Sequence, residues 1–258
     1  MKAIDGTCQD FLLNLNWKNT PINYEWNNDI LCNISNTGDG HLRLKKALNK
    51  MGYRASIVFA ACLLKFVLIR FDGHPELSRE FIDDVNNRID SVFAASINAL
   101  YSPILKYGIN CKVPSEGHVH GPCSVILRKI MFVSIEYNKR GYYIHRHLVG
   151  PVLLLEHIAP NKKLFNEWLT NIIRKVVDAF PCRYNYDDGL NQDDVYDYSD
   201  EPLVPLEFFI EESFLYSHEI AKQNISTFLQ SLDCSTNPYL RTPEEMLEAG
   251  FKGVPYVL

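Results

Sequence analysis

NKKLFNEWLTNIIRKVVDAF, residues 161–180, holds the pattern on which the fold assignment rests. Leu164, Phe165, Trp168, Leu169, Ile172, Ile173, Val176 and Val177 recur at steps of three and four. That spacing draws one apolar stripe along an α-helix. Pro181 follows at once and cannot continue the backbone ladder.

The same period recurs outward from this segment. Leu77, Phe81, Val85, Ile89, Val92, Phe93, Ile97 and Leu100 predict a second helix, of about seven turns, with Pro75 at its first position. Arg54 to Phe71 predicts a core helix closed by Asp72-Gly73, and His41 to Met51 a short basic helix ended by Gly52. Residues 205–232 predict one or two amphipathic helices with a break at Ser217-His218. Thr242-Pro243-Glu244-Glu245 has the pattern of a capping box, and Gly250 is placed to end that short helix. The apolar tail FKGVPYVL is expected to dock on the body. The Asn-rich first forty residues read as an irregular lead-in whose Trp17, Tyr24 and Trp26 pack on that body.

One stretch reads two ways. IMFVSIEYNKRGYYIHRH, residues 130–147, is rich in β-branched and aromatic residues, which suits a small hairpin turning at Asn138–Gly141. Its helical neighbours favour two helices broken at Gly141. The expected fold is therefore all-α, a bundle or irregular array of roughly seven to ten helices. One domain over 1–258 is the simplest organisation. Two lobes meeting at the Gly/Pro-rich loop 102–123 are the competing one.

Composition narrows the class. With 258 residues, 47 % hydrophobic and 22 % charged, the chain can bury an ordinary core and does not have a disordered balance. Seven cysteines, at 8, 32, 62, 111, 123, 182 and 234, form no even framework and point to reduced thiols. MKAIDGTCQDFLLNLNW lacks the basic and apolar regions of a secretory signal, so a cytoplasmic location is expected. Ala55 to Phe71 is interrupted by Lys65 and Arg70 and is shorter than the ~20 apolar residues of a span, so no membrane partner is expected.

Charge is segregated. Residues 1–186 carry 23 Lys/Arg against 16 Asp/Glu, whereas 187–219 carry 11 acids and no Lys or Arg. The basic residues of the body form isolated pairs such as Lys45-Lys46 and Lys162-Lys163, and no nucleic-acid-binding pattern accompanies them. Tyr184, Tyr186, Asp187, Asp188, Asp193, Asp194, Tyr196, Asp197, Tyr198, Asp200 and Glu201 interleave aromatic and acidic side chains. Tyrosine gives contact area at low entropic cost, and opposite charge steers association. These residues are expected to bind a basic protein partner. In the most concrete form, a bacterial immunity-type protein covers the phosphate site of a toxin such as a nuclease.

Catalytic signatures fail. There is no G-x-x-x-x-G-K-[ST] and no G-x-S-x-G, and Gly38-Asp39-Gly40 is too short for a dinucleotide fingerprint. His218-Glu219 lacks the second histidine of H-E-x-x-H, and an EF-hand register on Gly189 places Tyr184 and Val195 where acids are needed. Cys111, His118, His120 and Cys123 are metal-ligand types, but no C-x₂₋₄-C pair exists. The expectation is a binding protein rather than an enzyme, with no cofactor. The alternative is a metal-assisted hydrolase using His118, His120, His145, His147 and His157.

Overall fold

A computed structural model describes residues 17, 20–35, 39–103, 116–183 and 195–258. Among the described residues there are ten α-helices and no strand. They are α1 (Asn28–Ser35), α2 (Leu42–Leu48), α3 (Tyr53–Arg70), α4 (Arg79–Ile97), α5 (His120–Asn138), α6 (Ile144–Ile158), α7 (Lys162–Ala179), α8 (Glu207–Ile210), α9 (His218–Ser231) and α10 (Pro243–Glu248). The all-α class is thus observed. None of these helices is long and apolar enough to cross a membrane.

α3 is the axis of the structure. All its residues are buried except Lys65, Leu68 and Ile69, which are partly so. A helix apolar on every side must be surrounded, and α4, α5, α6 and α8 all pack on it. Trp17 is fully buried, with its ring 5.7 Å from Phe66 of α3 and 5.9 Å from Phe165 of α7. Trp168 lies 4.8 Å from Phe66 on the same side. The predicted stripe of α7 therefore faces the axis, and each such buried ring contributes about 1.5–3 kcal/mol. Because α3 packs on α4 and also on α5 and α6, one hydrophobic core joins the chain before and after residues 102–123.

Residues 130–147 form no hairpin. α5 runs to Asn138 and α6 starts at Ile144. The buried residues Ile126, Leu127, Ile130, Met131, Val133, Ser134 and Tyr137 follow a three-to-four period, and adjacent pairs point inward together. An alternating strand could not bury them so. Packing on α3 overrides their β preference. The break is a Schellman motif: the Gly141 N–H donates to Glu136 O (3.0 Å) and the Arg140 N–H to Tyr137 O (3.0 Å). Arg140, not Gly141, takes the left-handed conformation, at φ 54°.

Three boundaries differ from expectation. α4 starts at Arg79, after a Ser78 cap that accepts the Phe81 N–H at 3.2 Å, and Pro75 lies in the turn before it. His120-Gly121-Pro122-Cys123 belong to the first turn of α5 rather than to a loop. Pro122 is tolerated there because first-turn N–H groups have no partner within the helix. Leu100 ends the stripe of α4 in a separate 3-10 turn, Ala99–Tyr101.

Residues 20–21 and the tail close over the core. Arg70 donates to the carbonyls of Ile158 (3.0 Å), Thr20 (2.8 Å) and Pro21 (3.0 Å), tying the lead-in to the ends of α3 and α6. The Thr242–Glu245 capping box forms, and Gly250 ends α10 at φ 88°. The tail docks through Phe251 and Tyr256, whose rings lie 5.6 and 5.0 Å from that of Tyr101.

Candidate functional site

The first turn of α3 needs acceptors for its backbone N–H groups. Its N-cap is Gly52, which has no side chain to offer. Glu201 fills that role from the acidic segment. Its Oε1 accepts the Tyr53 N–H at 3.0 Å and its Oε2 the Arg54 N–H at 2.7 Å. The carboxylate lies at the positive end of the helix, where negative charge is stabilised. The Tyr196 hydroxyl donates to Oε1 at 2.5 Å. Burial, followed by this bond to Glu201, pushes the Tyr196 phenol well above its usual range.

Arg54 lies beside this cap. Its Nη1 donates to Ser96 O and Ile97 O, both at 2.8 Å, and its Nε to Tyr198 O at 3.3 Å. The guanidinium carbon is 5.2 Å from the centre of the Tyr198 ring. Tyr198 stacks on Tyr53 at 5.3 Å, and Tyr53 stacks on Tyr137 at 4.8 Å. Residues 196–201 are thereby anchored to the core.

The predicted docking residues divide accordingly. Tyr184, Tyr186, Asp187, Asp188, Asp193 and Asp194 lie outside the described residues. Tyr196 and Glu201 are buried and hold α3, so their side chains are not on the surface. Tyr198 is half-buried in the stack, and Asp197 and Asp200 are exposed. Farther along the same charge block, Glu212 and Glu219 are exposed, and Leu215 projects with 81 % of its surface in solvent. The Ser199 N–H donates to Asp197 at 3.0 Å, and this bond holds the carboxyl below its usual range. The ion pairs Arg79–Asp83, Arg88–Asp84 and Lys163–Glu167 all lie elsewhere.

The five histidines fall into two groups at opposite ends of α6, about 18 Å apart by helix rise. At its C-terminal end, Tyr24 stands between His118 (ring centres 6.1 Å) and His157 (5.4 Å). The His157 Nε2 is 2.7 Å from Glu25 O. The Nδ1 of His120 is buried without a hydrogen-bond partner. At the other end, His145 is buried, and burial, reinforced by Arg146, Lys45 and His147, pushes its imidazole down to about 3. His147 stacks on Phe132 at 6.1 Å, and burial lowers it too. Among the described residues no three His, Cys, Asp or Glu side chains are grouped to hold a metal. Cys111 lies outside them, and Cys123 is buried.

The roles of Glu201 and Arg54 have no local signal in the sequence. Both arise from contacts between residues far apart in the chain, and neither follows a motif. Comparison with protein-family models, with curated proteins and with solved structures finds no match for this chain.

Proposed function

We propose that this chain is a non-catalytic binding protein whose acidic block docks a basic protein partner. One observation carries the reading: residues 187–219 hold 11 acids and no Lys or Arg, and their members Asp197, Asp200, Glu212 and Glu219 are exposed. An excess of surface charge of one sign speeds encounter with a partner of the other sign and disfavours like-charged competitors. Leu215 adds apolar contact area in the same block. The anchoring of Tyr196, Tyr198 and Glu201 supports the reading, because a surface fixed before binding loses less entropy on docking. In its specific form, this is an immunity-type protein that fills the phosphate site of a basic toxin such as a nuclease.

The test is capture of a stoichiometric partner from the native source, followed by affinity measurement with Asp197→Asn, Asp200→Asn, Glu212→Gln and Glu219→Gln combined. Glu201 is left intact because it caps α3. A basic protein whose association slows about tenfold or more at low salt, with the difference shrinking as salt rises, is the expected result. Unchanged affinity would rule out the acidic mechanism. Stoichiometric zinc, manganese or iron in untagged protein, with stability lost on chelation, would favour the histidine-based hydrolase instead.

A further inference from the structure

A cleft of about 680 Å³ opens beside the cap of α3. Three arginines from three parts of the chain line it: Arg54 at the start of α3, Arg140 in the α5–α6 turn, and Arg241 just before α10. Asp197 is the one acid among its described lining residues. Asn98 and Ser199 add neutral polar groups.

Two of the arginines are positioned without being neutralised, and Arg140 stands exposed at the rim. Arg54 is held by the carbonyls of Ser96, Ile97 and Tyr198, and the Arg241 Nη1 by that of Leu100 at 3.0 Å. Carbonyl bonds fix a guanidinium's direction and leave its charge in place. Among the described residues, none of the three is in an ion pair. Asp197 lowers the local charge but is itself engaged by the Ser199 N–H. The nearby Glu201 carboxylate is occupied by the backbone of α3 and by Tyr196.

We infer that this cleft binds a small phosphate-bearing anion. Among the lining side chains, three arginines against one aspartate leave two positive charges, which Glu201, behind the cleft wall, offsets in part. A phosphate monoester carries close to two negative charges at neutral pH and offers three acceptor oxygens to the planar donor forks of arginine. A single carboxylate would satisfy only part of that set. The volume is within the range of small-molecule sites and exceeds what a bare phosphate fills. The site borders the acidic docking surface, with which it shares Asp197, but it recruits its ligand with charge of the opposite sign.

The experiment is calorimetric titration of the full chain with pyrophosphate and with AMP, using citrate as the carboxylate control, all at one ionic strength. Arg140→Gly and Arg241→Gln are compared with the parent after circular dichroism confirms the helices. Glycine suits the left-handed backbone at position 140, so that variant removes the guanidinium without straining the turn. Saturable binding of pyrophosphate or AMP, weakened about tenfold or more in each variant, is expected. No saturable binding of either phosphate probe would overturn the proposal. So would binding that Arg140→Gly leaves unchanged, or citrate binding as tightly as the phosphate probes.

Discussion

The Glu201 carboxylate receives the N–H groups of Tyr53 and Arg54, which lie 148 and 147 residues earlier in the chain. It performs for α3 the service that a neighbouring serine or aspartate performs for an ordinary helix. The central helix of the core is thereby linked to the middle of the acidic block. Two of the acidic or tyrosyl side chains that composition assigns to a surface, Tyr196 and Glu201, are spent on this internal bond.

Removing the cap should be costly. Glu201→Gln is expected to lower unfolding stability by about 1–3 kcal/mol, since charge-assisted bonds to two buried donors are weakened together. Tyr196→Phe should lose about 1 kcal/mol, and the two changes should not add, because they share one hydrogen bond. Urea denaturation of the two single variants and the double variant measures this coupling. Full additivity would mean that Tyr196 and Glu201 do not act as one unit.

Gly121→Ala is predicted to dislodge the lead-in. A Cβ there would stand 2.0 Å from Trp26 Nε1, so the indole must move. The expected loss is about 1–3 kcal/mol, typical of overpacking, with a change in tryptophan fluorescence. Gly141→Ala provides the contrast. Its Cβ also meets an atom at 2.0 Å, but that atom is the end of the flexible Glu136 side chain, which can swing away. Equal losses in the two variants would show that Trp26 does not dock against α5.

Much of the fold is legible in the sequence because it is periodic. The stripe of α7 and the capping box of α10 are local patterns, and both are present in the structure. Residues 130–147 are harder, because Ile130, Val133 and Ile144 suit a strand until α3 offers them a surface with helical spacing. The candidate site is less legible still. Charge segregation marks residues 187–219, yet nothing in the order of residues separates the inward Glu201 from the outward Asp200. The arginine cleft joins positions 54, 140 and 241, which only the folded chain brings together.

The α5–α6 turn contains a stabilising substitution. Arg140 occupies the left-handed Schellman position usually filled by glycine. Arg140→Gly relieves the clash of Cβ with the backbone but adds freedom to the unfolded chain. The net gain should be on the order of 0.5–1 kcal/mol. Gly250→Ala, at φ 88°, reverses the logic and should cost about 1 kcal/mol. Thermal melts of both variants check the pair. A loss at position 140 would mean that its side chain stabilises the fold by more than its backbone strain costs.

His145 makes stability depend on pH. In the unfolded chain an imidazole titrates near 6.5, whereas burial holds this one down at about 3. Between those values the unfolded state binds a proton that the folded state does not, so stability rises with pH. The contribution is complete above about 6.5 and is lost as pH falls toward 3, with a limiting slope of about 1.4 kcal/mol per pH unit. His147, also lowered by burial, adds in the same direction. His145→Gln removes the titrating group and should flatten the slope between about pH 6 and 4 by up to one proton. Reading the slope separates this effect from any packing loss, which would shift stability equally at every pH. An acid limb as steep in the variant as in the parent would place the titration on other groups.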